Sequence, residues 1–170
     1  IWINNTDSQY WDSYIAKYDS DGQVKWAKGI GGTNDDLVRS VAETSDGDYI
    51  VVGDFSSESI NLGNNIIVTN ENNTDEIIIK YSSNGQVKWA KGLSCHLNTV
   101  AGTSDGGCIV GGYFSGSSIE LENGVSVTNK GGSAHDDAIL IKYSSSGKLE
   151  SALGIGGQYR EEIDSVAECS

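Results

Sequence analysis

Residues 80–92 read KYSSNGQVKWAKG, and residues 17–29 read KYDSDGQVKWAKG. A third, worn copy, KYSSSGKLESALG, stands at 142–154. The copies are spaced by 63 and 62 residues, so the chain is a tandem array with a unit of about 62. The repeat decides the fold class, because each copy ends one hydrophobic stretch and opens another across a turn. In Asn84-Gly85 that turn has the strongest short hairpin signal in the chain.

Working outward from it, Glu76 to Tyr81 (EIIIKY) and Gln86 to Lys91 read as the two strands of a hairpin. Upstream, Leu37 to Thr44 and Asp48 to Phe55 (DYIVVGDF) read as another pair, joined through Ser45-Asp46-Gly47. Between the pairs lies a longer polar stretch in which INLGNNIIVTN forms a small hairpin of its own. The next unit repeats the order: Leu97 to Thr103, a turn at Asp105-Gly106, Cys108 to Phe114, the loop SSIELENGVSVTN, Ala138 to Tyr143, and Lys148 to Leu153. Four antiparallel strands in a meander, recurring at this period, indicate an all-β chain of β-propeller blades in an incomplete ring. The expected division is a partial blade of outer strands over 1–36 and blades over 37–93 and 94–155. Residues 156–170 then give the first strand of a further blade. The opening IWINNTDSQY has neither a basic n-region nor a cleavage site and matches the middle of a unit, so a fragment or processed chain is expected.

Composition agrees with many tight turns: 22 glycines, no proline and no methionine. No apolar run approaches the length needed to cross a bilayer as a helix. The formal charge of −13 repels phosphate backbones, and no Lys/Arg cluster relieves it, which argues against nucleic acid as a partner. An acidic surface with Asn- and Ser-rich loops suits an extracellular or cell-surface setting. The three cysteines, Cys95, Cys108 and Cys169, match no zinc or redox spacing. Each reads as an ordinary half-buried strand residue, with Cys95 and Cys108 the pair that could bridge.

The stretch from KYDSDGQVKWAKG through IGGTNDDLVRSVAETSDGDYIVVGDFS resembles the bacterial β-propeller repeat known as SBBP. The likeness spans essentially the whole chain. It implies a secreted or surface propeller and assigns no activity, since propellers serve many unrelated functions.

Chemistry-bearing motifs are thin. The D-x-D-G of Asp19, Asp21 and Gly22 evokes calcium, but its equivalents SSNG and SSSG lack both acids, so it reads as a turn. No loop has a complete ligand set, and no metal, cofactor or catalytic residue is expected. His96 and His135 sit in loops without triad or zincin spacing. Asp35-Asp36, Asp136-Asp137 and Glu161-Glu162 could act as acid and base only if the fold converged them. Gly31-Gly32, Gly131-Gly132 and Gly156-Gly157 read as turn glycines. Lys17, Lys80 and Lys142 recur in the third strand, with Asp12, Asp75 and Asp137 each five residues before. The expectation is a lysine stem packed between blades and a carboxylate that satisfies loop amides. Trp26 and Trp89 should cover the flank of the adjacent blade, which Ser151 cannot do. Sequons stand at Asn4 and Asn72.

A meander puts the short turns at one end and the long connections at the other. The long, divergent set comprises 31–36, 56–75, 94–96, 115–137 and 156–162, and a protein or glycan ligand is expected on that face. Tyr159 is its only aromatic. Arg39, Asn98 and Asp164 occupy equivalent positions, three residues before Ala42, Ala101 and Ala167. At the mouth of a central channel they would present a cation, an amide and a carboxylate, as a polar ligand site or as solvated lining. The functional expectation is a noncatalytic extracellular binding or surface-scaffold module. Its remaining blades would come from a parent chain or from other copies. The alternatives are a carbohydrate-active or other hydrolytic propeller enzyme and a structural spacer.

Overall fold

The computed structural model describes residues 9–70 and 75–169. Both sequons and the opening IWINNTDS lie outside the described residues or, for Ile1–Asn4, wholly before them. The chain is all-β. Strands β1 (Ser13–Tyr18) and β2 (Val24–Ile30) form a two-stranded sheet. Strands β3 (Asp36–Glu43), β4 (Tyr49–Phe55), β7 (Glu76–Tyr81) and β8 (Val87–Leu93) form an antiparallel meander. Within it a small hairpin, β5 (Ser59–Asn61) and β6 (Ile67–Thr69), is inserted between the second and third strands. The order repeats in β9 (His96–Gly102), β10 (Cys108–Phe114), β13 (Asp137–Tyr143) and β14 (Leu149–Ile155). Here the inserted hairpin is β11 (Ser118–Glu120) with β12 (Ser126–Thr128). Strand limits match the sequence reading to within two residues.

Why the β3–β8 sheet carries unbroken apolar runs is visible in its packing. Side chains alternate across a strand, so Ile50, Val52 and Ile78 face one way while Val51, Ile77, Ile79 and Tyr81 face the other. The first set joins Val100, Val110, Ile139 and Ile141 of the next sheet in one core. The second set joins Ile15 and Ile30 of the β1–β2 hairpin in another. Both faces are therefore buried, and every residue of EIIIKY is inaccessible.

The turns at one end share a geometry. In each, the first residue's N–H donates to the fifth residue's carbonyl, as Thr44 to Asp48 at 2.9 Å and Ser82 to Gln86 at 2.8 Å. Gly47 and Gly85 sit at φ of 78° and 79°, while Asp46 and Asn84 do not take positive φ. These are three-residue loops ending in a left-handed glycine, rather than two-residue turns with two left-handed positions. Asp19 Oδ1 accepts the N–H groups of Asp21 and Gln23, and its other oxygen meets Lys25 at 2.7 Å, so the D-x-D-G stretch is turn chemistry.

Tryptophans tie the turns at Gly85 and Gly147 to the preceding sheet. The Trp26 indole donates to Ser83 O at 3.0 Å and that of Trp89 to Ser145 O at 3.1 Å. A Cβ at Gly85 would lie 2.7 Å from the Trp26 ring, and one at Gly147 the same distance from Trp89. Lys80 adds a second tie. Fully buried, it donates to Asp46 at 2.9 Å in its own sheet and to Gly106 O at 2.8 Å in the next. Asp48 lies 3.3 Å away. Its counterpart Lys142 is part-exposed and pairs with Asp105 and Glu150.

The sequence reading needs three corrections. Cys95 and Cys108 are buried rather than half-buried, and both are free, while Cys169 is exposed and free. Gly31 and Gly156 are packing glycines: a Cβ there would lie within 2.2 Å of the Asp12 and Asp137 carboxyl groups. Residues 156–169 form no strand, because no neighbouring strand stands beside them among the described residues. They lie instead on the second sheet, where Ile163 donates to Gly112 O and packs with Val166 against Gly111.

Gly22 has the same positive φ as Gly85 but nothing within 4 Å of its added Cβ. Gly22→Ala should therefore cost only the backbone term, about 1 kcal/mol, and Gly85→Ala about 1–3 kcal/mol more through the tryptophan. Equal losses in denaturant unfolding would refute the contact. Lys80→Met should cost about 1–3 kcal/mol by leaving the Gly106 carbonyl and Asp46 without their buried donor, while Asp48 keeps Lys88. Lys142→Met, at the solvated equivalent, should barely move the midpoint.

Candidate functional site

The long-loop end begins with two irregularities. Val38 pairs with Gly53 and Ser40 with Val52, leaving Arg39 as the extra residue of a bulge. Leu97 pairs with Gly112 and Thr99 with Gly111, which does the same for Asn98. The glycines opposite are required: a Cβ at Gly53 would lie 2.1 Å from Leu37 O, and one at Gly112 would lie 1.8 Å from His96 O. A bulge re-aims the extra side chain. Arg39 donates through Nε (2.9 Å) and Nη2 to one oxygen, Oδ2, of Asp54. Asn98 donates to Ile163 O at 3.2 Å. Asp164 is exposed in the segment beyond β14. The three equivalent positions thus have three different settings, and the cation is engaged by Asp54 rather than offered beside Asn98 and Asp164.

Arg39 leads into a cluster that spacing did not reveal. Asp54 stands one residue before the end of β4, Glu76 opens β7, and His96 opens β9 of the next sheet. Ligand atoms of these three lie within 4.8 Å of one another. Glu76 is 1% exposed, and its Oε1 shares a hydrogen bond with His96 Nδ1 at 3.1 Å. Its Oε2 has no hydrogen-bond partner among the described residues. The His96 ring stacks on Tyr113 at 4.6 Å, and the Arg160 guanidinium lies over the same Tyr113 ring at 4.7 Å. Arg160 in turn meets Asp136 at 3.2 Å.

Burial, then the neighbouring Asp54, pushes the Glu76 carboxyl up to about 10. Burial also acts on Asp54 in that direction, but hydrogen bonds from Glu76 and Arg39 outweigh it and hold Asp54 below the usual range. One proton is therefore held by the pair: Glu76 keeps it and donates toward an Asp54 carboxylate that Arg39 neutralises. Beside the cluster a groove of 560 Å³ runs between His96, Asp75, Ser94 and Cys95 on one side and Ser118, Ile119 and Glu120 on the other. Burial raises the Cys95 thiol far above neutrality, so it is no nucleophile.

The paired acids are engaged separately, each by groups of the loops. Asp36 accepts from Gly32 N–H at 2.7 Å and the Ser57 hydroxyl at 2.6 Å. Asp35 accepts from Trp11 N–H, Asp136 from the Ser115 hydroxyl, Asp137 from Lys130 N–H and Glu161 from Gly157 N–H. These carboxylates organise loops.

Two signals in the sequence pointed to the cluster. Gly53 and Gly112 interrupt strand interiors, which marks bulges. Glu76 and Asp54 also stand where the next copy has Ala138 and Tyr113, so they break the repeat. Compared with family models and with curated proteins, the chain matches none.

The folded chain holds the Glu76 proton more tightly than the unfolded chain, whose carboxyl titrates near 4.5. Folding therefore takes up a proton between those values, and stability falls as pH rises through that window. Glu76→Gln has no such term. In EDTA-containing buffer, its stability relative to the parent should rise by up to about 1.4 kcal/mol per pH unit from about pH 5 to 8. Parallel pH profiles would show that Glu76 is not protonated in the fold.

Proposed function

We propose that the chain is a noncatalytic extracellular β-propeller module: two blades with parts of others, binding a protein or glycan on its long-loop rim. The observation that carries the reading is the asymmetry of the two rims. The short-turn rim is internally tied by Trp26, Trp89 and Lys80, whereas the other carries the inserted hairpins, the groove and the non-repeating charged cluster. The resemblance to SBBP repeats and the acid-rich, Asn-rich surface support a secreted or surface location. Propellers close with about four to eight blades. Remaining blades would come from a parent chain or from other copies. A hydrolytic role is less well supported, because Glu76 is buried and Asp54 is held by Arg39.

The test has two parts. Light scattering and thermal melting should show the 18.0 kDa chain either as an assembly of several copies or without a cooperative melt; a cooperatively melting monomer overturns the propeller reading. On glycan and protein arrays, Ser118→Arg in the groove should abolish capture, and Gln86→Arg on the short-turn rim should leave it intact. Loss from both variants, or no capture, overturns the binding reading.

A further inference from the structure

We propose that Asp54, Glu76 and His96 form a binding site for one first-row divalent transition metal, Zn²⁺ before others, that clamps the two four-stranded sheets together. Asp54 and Glu76 come from adjacent strands of one sheet and His96 from the first strand of the next, so an ion on all three joins β4 and β7 to β9. Their donor atoms lie within 4.8 Å of one another, a separation that a metal with bonds near 2 Å can span after small side-chain adjustments. Glu76 Oε2 is the independent indication. This carboxyl oxygen, on a side chain that is 1% exposed, has no hydrogen-bond partner among the described residues.

The donor set selects the metal. One imidazole with two carboxylates suits Zn²⁺ and its neighbours, while Ca²⁺ and Mg²⁺ seek oxygen alone and more of it. Arg39 does not block the site, because both of its N–H groups fall on Asp54 Oδ2 and leave Oδ1 to ligate. It fixes that carboxylate as an outer partner. The His96 side chain is 45% exposed, so the ion has a route in and water completes its coordination. On a chain of net charge −13, the field favours the cation.

The experiment uses the whole chain carrying Cys169→Ser, which removes the exposed thiol as a competing ligand. After EDTA dialysis, Zn²⁺ is titrated by calorimetry, and Co²⁺ is added as a spectroscopic probe. The expected result is one equivalent bound, a raised melting temperature, and visible Co²⁺ bands without a thiolate charge-transfer band. His96→Phe keeps a ring on Tyr113 but removes the nitrogens, and it should weaken binding at least tenfold. Glu76→Gln should do the same, and Ca²⁺ should not compete. Absence of saturable binding, equal affinity in the folded His96→Phe protein, or a thiolate band from Cys95 would each overturn the assignment.

Discussion

The sheet β3–β4–β7–β8 buries both of its faces, and most of the architecture follows from that. A strand exposed on one side can alternate polar and apolar residues; one covered on both sides cannot. EIIIKY and the IVV of DYIVVGDF satisfy this demand, and each face needs its own partner. The β1–β2 hairpin supplies one with Ile15 and Ile30, and the second meander supplies the other with Val110, Ile139 and Ile141. The demand recurs on the outer face of the second sheet, where Ile109 and Leu140 are only partly covered. There Gly111 stands in place of Val52 and makes room for Ile163 and Val166, so the segment after β14 covers part of that face without being a strand.

Stacking by faces leaves the ends of the sheets to be fixed separately, and the two ends are treated differently. At the short-turn end, spacing between sheets is set by groups that repeat. An indole reaches the next turn's carbonyl, and a buried ammonium bridges two turns. A left-handed glycine there meets a tryptophan face, so the turn can neither grow nor tilt without losing the contact. At the other end, connections are longer and several of their carboxylates bind amides of the same connection, as Asp137 does with Lys130 and Glu161 with Gly157. Such self-contained loops can vary without disturbing the stack, which is the property a recognition surface needs.

The elements of this fold were legible in the sequence, because they depend on neighbours in the chain. Strand limits, inserted hairpins and turn glycines all follow from local alternation and from residues tolerant of positive φ. The tryptophan ties were also readable, since repetition shows which positions serve the stack; of the three repeated lysines only Lys80 is buried, and its bonds to Asp46 and Gly106 have no signal in the spacing. The bulges were legible only in part. Gly53 and Gly112 signalled them, but that Arg39 and Asn98 are the extra residues depends on cross-strand register. Asp54, Glu76 and His96 are separated by 20 residues or more, with no spacing rule to join them. The burial of Cys95 and Cys108 was missed because a small polarizable side chain gives no period of its own.

Glu76 also separates what folding requires from what it tolerates. The same position in the second sheet is Ala138, 2% exposed, in a strand with the equivalent pairing. The architecture therefore has an apolar solution at this point. A carboxyl group buried instead must either keep a proton far above its ordinary range or find a positive partner, and each costs free energy relative to alanine. Its neighbours differ in the same direction: Asp54 where the second sheet has Tyr113, and His96 where the first has Leu37. Three polar replacements of apolar or aromatic positions, converging from two sheets on one volume, compensate one another's burial only as a set. A packing account explains none of them singly. A shared occupant, whether proton or metal ion, explains all three, and it places the least repetitive chemistry of the chain at the seam between its two most regular parts.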